Sequence, residues 1–106
     1  LQLGGVTVVY KNISFQQLKE MVNSKNDILL LDVRNSNDFN MERLKNSVNI
    51  PLQYLYCDLG MIESYKNKKV IIYCYHGYRS VTACCILYDL GFKYLYNLKN
   101  GIEGEI

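Results

Sequence analysis

Long apolar runs are missing from this sequence. Stretches such as Ile28 to Leu31 and Val70 to Tyr73 fall far short of the roughly 18 to 20 residues a membrane-spanning helix needs, so no membrane segment is expected. A basic stripe is missing too: 12 Lys and Arg stand against 10 Asp and Glu, spread along the chain. That argues against nucleic acid or an anionic membrane surface as a partner. The four cysteines, Cys57, Cys74, Cys84 and Cys85, form no C-x-x-C pair and share the chain with a single histidine. A zinc site or a disulfide scaffold is therefore not expected, and reduced thiols suit a cytoplasm-like compartment. With one proline, no low-complexity tract, no repeat and no linker, the 106 residues read as one domain. There is neither an initiator Met nor a signal-peptide pattern, which suggests a domain excised from a longer chain.

What is present alternates between two kinds of segment. Val6 to Tyr10 reads as a short strand. Ser14 with Gln17 has the spacing of a capping box, and Phe15, Leu18, Met21 and Val22 share one face of the helix it would start. Ile28 to Val33 is continuous and apolar except for Asp32, the pattern of a strand covered on both sides. A short helix is expected over 36–44 and a short strand over 48–50. Beyond Pro51, the stripe Leu52, Leu55, Tyr56, Leu59, Ile62 suggests a helix, interrupted at Gly60. Val70 to Tyr73 is the clearest strand and Ser80 to Leu90 the clearest helix, ended by Gly91; Tyr94 to Leu98 supplies a last strand. The alternation predicts an α/β fold with a mainly parallel central sheet and helices on both faces. In such sheets sites form beyond the carboxyl ends of the strands.

Cys74 stands at that edge. It can be read as a small buried hydrophobe closing a strand, or as a nucleophile. Tyr75, His76, Gly77, Tyr78 and Arg79 join strand to helix in few residues, and Gly77 permits backbone geometry that a side chain forbids. A tight turn of this kind aims successive N–H groups inward, and the helix starting near Ser80 adds its own unpaired donors. Such a cradle would stabilise a thiolate as it would an oxyanion. Arg79 is a candidate anion ligand through charge-assisted hydrogen bonds. His76 reads as a loop residue with its ring partly in solvent, and Tyr75 and Tyr78 as flanking the entrance. Asp32 and Arg34 read as internal, in an ion pair or in loop hydrogen bonds, with Asp38 as one candidate partner of Arg34; Arg43 is either exposed or reaches the pocket mouth. Val81, Cys84, Cys85 and Tyr88 read as the buried stripe of the last helix, and Cys57 as exposed.

In order along the chain stand Asp32-Val33-Arg34, Asp38-Phe39, Asn49-Ile50-Pro51, Cys74-Tyr75-His76-Gly77, Gly91-Phe92 and Asn100-Gly101-Ile102. This series resembles the rhodanese family of sulfurtransferases over nearly the whole chain, and the Cys-Tyr-His-Gly loop is similar to that of single-domain thiosulfate sulfurtransferases. Departures are Glu42-Arg43 where the family usually has Gly-His, Glu105 near the place of a usual Trp, and an end where a last helix would form. The resemblance implies that Cys74 takes the outer sulfur of an anionic donor such as thiosulfate and passes it to cyanide, a thiol or a protein acceptor. Tyr75 to Ser80 would hold the substrate, with no metal or organic cofactor. Two rivals stand beside it. One is a phosphatase or arsenate reductase of related fold, whose Cys-to-Arg loop is one residue longer than the four residues here. The other is a carrier or docking domain of a larger protein.

Overall fold

In the computed structural model, which describes residues 2–4, 6–24 and 26–106, the two apolar runs lie side by side as β4 (Ile28–Asp32) and β6 (Lys69–Tyr73). They pair in parallel with Leu31 beside Ile72 and Asp32 beside Tyr73. Both are buried on both faces, which is why neither alternates polar with apolar residues. β7 (Tyr94–Leu98) flanks β6, β3 (Lys11–Ile13) flanks β7, and β5 (Val48–Asn49) flanks β4, giving the order β3-β7-β6-β4-β5 with every pairing parallel. All five carboxyl ends therefore meet one edge.

Two clusters fill the two sides. One joins Leu29, Leu31, Val70, Ile72 and Leu95 to Ala83, Cys84 and Leu87 of α3 (Arg79–Asp89) and to Leu55 and Ile62. The other joins Leu30, Ile71 and Leu98 to Leu18 of α1 (Phe15–Asn23) and to Leu44. The expected covering of a mainly parallel sheet on both faces is borne out. Ser14 caps α1 reciprocally with Gln17, at 3.1 Å from the Gln17 N–H to Ser14 Oγ and 2.8 Å from the Ser14 N–H to Gln17 Oε1. Gly91, at φ 99°, ends α3 in the left-handed region and turns Phe92 into the core.

Several boundaries differ from the sequence expectations, each for a tertiary reason. Val6–Tyr10 does not enter the main sheet. Only β2 (Val6–Thr7) is a strand, in an antiparallel pair with β1 (Gln2–Leu3), and the sheet strand is the more polar β3, recruited by β7. α2 spans Ser36–Met41 and stops short of Leu44. The stripe from Leu52 to Ile62 is not one helix: 3₁₀ turns at Leu52–Tyr54, Leu59–Met61 and Glu63–Tyr65 point Leu55 and Ile62 inward and leave Tyr56 exposed. On α3 the buried stripe is Ser80, Ala83, Cys84 and Leu87, while Cys85 and Tyr88 face out. Val22 likewise faces solvent. Among the described residues no helix is long and apolar enough to cross a membrane.

Candidate active site

Strand β6 delivers Cys74 to the carboxyl edge of the sheet, where it is 3% exposed and forms the floor of a cavity of about 420 Å³. Three groups converge on its sulfur. The Gly77 N–H lies 3.1 Å from Sγ, the Ser80 N–H 3.4 Å, and Ser80 Oγ 3.3 Å. The first comes from the turn and the other two from the opening of α3, so strand, turn and helix start together make the cradle. Ser80, expected at this helix start, is fully buried, and its hydroxyl donates to Asn97 Oδ1. In that arrangement the Cys74 thiol is the donor to Ser80 Oγ.

The loop is held from below by the turn after β7. Gly77 has φ 91°, and a Cβ there would collide with the Lys99 carbonyl. Gly101 has φ 67°, and a Cβ there would collide with the Tyr75 carbonyl. Neither position can carry a side chain without moving backbone. The Ile102 N–H donates to the Cys74 carbonyl at 3.2 Å and the Glu103 N–H to the Tyr75 carbonyl at 3.1 Å. The loop and the glycine turn thus lock into each other.

Tyr75 and Tyr78 line the cavity and are exposed, as the sequence suggested, and Arg79 lines it beside them. His76 has a carboxylate neighbour the sequence did not reveal: Nδ1 is 2.8 Å from Glu103 Oε2, with the ring stacked against Tyr75. Arg34, Asn35 and Asp38 complete the lining. Arg34 does not pair with Asp38. Its guanidinium folds back onto buried Asp32, 2.8 Å from Nη2 to Oδ2, and donates to the Glu42 carbonyl at 2.6 Å. Burial works against the Arg34 charge, but the hydrogen bonds and charge of Asp32 outweigh it, so its pKa is raised. Arg43 stacks over Phe39, 4.5 Å from the ring centroid, and is not among the residues lining the cavity.

Two further residues were not singled out from sequence. Asn97 sits in an otherwise apolar strand, 1% exposed, and only the pairing of strands brings it to Ser80. Tyr73 accepts a hydrogen bond from the Leu44 N–H at 3.2 Å and donates to Ser47 Oγ at 2.9 Å. Desolvation raises its pKa to about 12. Burial also pushes the Cys84 thiol up, with the charges of Cys85 and Cys74 acting in the same sense. Core packing, as expected, is its place. Cys57 is exposed. Among the described residues no cluster of His, Cys, Asp and Glu is arranged to hold a metal.

A parallel sheet that ends one strand in a cysteine, with a short turn and a helix start closing around the sulfur, defines a class of small α/β domains with a cysteine-centred loop. The chain belongs to the rhodanese family: residues 14–104 match the model of the rhodanese-like domain. It is 34% identical over 101 residues to the thiosulfate sulfurtransferase GlpE of Coxiella burnetii, covering 91% of this chain and 87% of that protein. It is 33% identical over 98 residues to the tRNA uridine(34) hydroxylase of Buchnera aphidicola, covering 89% of this chain but only 31% of that protein. A crystal structure of a rhodanese-like domain protein from Staphylococcus aureus superposes with a TM-score of 0.78 at 25% identity, covering 87% of each chain. The expected family, fold and sulfurtransferase class are borne out.

Proposed function

We propose that Cys74 is the nucleophile of a thiosulfate sulfurtransferase. Its thiolate attacks the outer sulfur of the donor, the new S–S bond forms as the bond to the sulfonate sulfur breaks, and sulfite leaves with the electron pair. An acceptor thiolate or cyanide then attacks the outer sulfur of the Cys74 persulfide, taking that sulfur and returning Cys74 as thiolate. Both half-reactions share one covalent intermediate, so kinetics are ping-pong. The observation that carries this reading is the convergence of the Gly77 and Ser80 N–H groups on Sγ at 3.1 and 3.4 Å. These donors suit thiolate and persulfide alike, because both are anions centred on sulfur. Arg79, on the cavity wall, holds the sulfonate end of the donor. Tyr75, His76 and Tyr78 also line the cavity.

The likeness to GlpE over most of both chains supports thiosulfate as donor. The likeness to one part of a much longer tRNA uridine(34) hydroxylase supports a second setting, in which such a domain works as part of a larger protein. Four free cysteines suit a reducing compartment such as the cytoplasm.

Intact-mass spectrometry after thiosulfate treatment tests the reading. One added sulfur mapped to Cys74, lost together with turnover in Cys74→Ser, is the expected result. An adduct on Cys57 or Cys85, or turnover that persists without the Cys74 thiol, overturns it. Hydrolysis of aryl phosphates should be negligible, because the four-residue loop makes a smaller ring of donors than a tetrahedral oxyanion needs. Efficient phosphate hydrolysis dependent on Cys74 would decide for the phosphatase rival.

A further inference from the structure

Asn97 is a buried polar side chain in a strand whose same-face neighbour, Leu95, belongs to the apolar core. Burying a carboxamide is costly unless all its hydrogen-bonding groups are used. Here they are, and two of the three partners belong to the cysteine loop and the helix start that closes it. Oδ1 accepts the Ser80 hydroxyl. Nδ2 donates to Asn12 Oδ1 at 3.0 Å and lies 3.5 Å from the Gly77 carbonyl. One carboxamide therefore touches both residues whose N–H groups reach the sulfur.

The parallel register explains how this arises. Asn97 stands opposite Asn12 on β3 and opposite Ile72 on β6. Its side chain lies one alternation beyond Leu95 on the side of the sheet that α3 covers, next to the first turn of α3. Asn12 is exposed at the sheet edge, and its side-chain oxygen takes the better of the two Nδ2 hydrogen bonds.

We propose that Asn97, held in turn by Asn12, is the positioning residue of the sulfur cradle: it holds the Ser80 hydroxyl and the Gly77 carbonyl, and so keeps these two residues placed with their own N–H groups aimed at Cys74. The inference rests on Cys74 being the reactive thiol. Without the carboxamide, Ser80 and Gly77 lose their common anchor and the donors drift off the line to the sulfur. A hydrogen bond contributes about 1 kcal/mol net, so Asn97→Ala should lower reactivity at Cys74 about fivefold. Binding of an anionic donor through Arg79 is left in place.

The four cysteines supply the test within one molecule. Iodoacetamide labelling at fixed pH, followed by peptide mass spectrometry, reads Cys74 against exposed Cys57 and Cys85 as internal standards. Buried Cys84 reports any opening of the fold. In Asn97→Ala we expect the Cys74 rate to fall about fivefold with Cys84 still unlabelled, and kcat to fall with the KM for thiosulfate unmoved. A Cys74 rate equal to that of the parent protein, or a rise at Cys74 and Cys84 together, overturns the proposal, because the first means no positioning and the second means only packing. Should Asn97→Ala not fold, Asn12→Ala at the sheet edge decides: a fall at Cys74 of about twofold supports the relay, and no change overturns it. If thiosulfate adds no sulfur to Cys74 in the parent protein, the nucleophile assignment itself fails, a result distinct from either of these.

Discussion

Gly77 rests on the backbone of Lys99 so closely that a single added carbon would collide with the Lys99 carbonyl oxygen. Its φ of 91° adds a second reason for glycine at this position. Gly77→Ala should therefore lose sulfur transfer by displacing the N–H that faces Sγ. Backbone strain of roughly 1 to 3 kcal/mol should also appear as a lower urea midpoint. Parent-like turnover and stability in this variant would mean the loop relaxes without disturbing the sulfur.

Arg79 lines the cavity and, among the described residues, takes part in none of the ion pairs. Its charge is therefore available to a ligand. Loss of one charge-assisted contact is worth roughly 1.5 to 3 kcal/mol, so Arg79→Ala should raise the KM for thiosulfate about ten- to a hundredfold. Transfer from the preformed persulfide to cyanide should change much less. Steady-state kinetics with each substrate varied in turn would check this, and an unchanged KM would place the guanidinium away from the donor.

Asp32 and Arg34 form a buried pair at the end of β4, with Asp32 fully enclosed. Removing one partner leaves the other charge buried and unmatched, which costs about 3 to 5 kcal/mol. Asp32→Ala should show that loss in denaturant unfolding. Asp32→Asn, which keeps the shape and an acceptor oxygen, should lose less.

The Tyr73 phenol has an ordinary pKa of 10.0 and is held at about 12 in the fold, chiefly by desolvation. The unfolded chain releases this proton first, so the contribution to stability is complete below pH 10 and is lost as the pH rises through about 12. Each unit in that window costs about 1.4 kcal/mol. Cys84, also raised by burial, acts in the same direction from its ordinary value of 9.0 upward. Tyr73→Phe should be less stable than the parent at neutral pH, because the Leu44 N–H loses its acceptor. It should also show a shallower decline between pH 10 and 12. Equal slopes for the two proteins in urea unfolding would remove Tyr73 from the alkaline transition.

The central strands were legible because a segment buried on both faces must be apolar throughout, and Ile28–Asp32 and Lys69–Tyr73 are nearly so. Cys74, its turn and α3 were legible because strand, glycine turn and helix follow one another directly in sequence. The stripe from Leu52 to Ile62 misled because apolar spacing near three or four residues suits successive 3₁₀ turns as well as one helix. Val6–Tyr10 misled because β-branched residues favour a strand locally, whereas the sheet took Lys11–Ile13 for its pairing with β7. Arg34 turned back to Asp32, two residues away at the strand end, rather than forward to Asp38 on α2. Asn97 and the Glu103 partner of His76 left no local sign, since both lie far along the chain from the residues they contact.

The two outer strands are short: three residues in β3 and two in β5. Beyond β5 the chain runs directly into Ile50 and Pro51, and β3 carries exposed Lys11 and Asn12. A foreign strand approaching either margin would find few unpaired backbone groups and, on one side, a lysine that must lose water to be covered. The same brevity thus guards a largely apolar sheet against templated self-association.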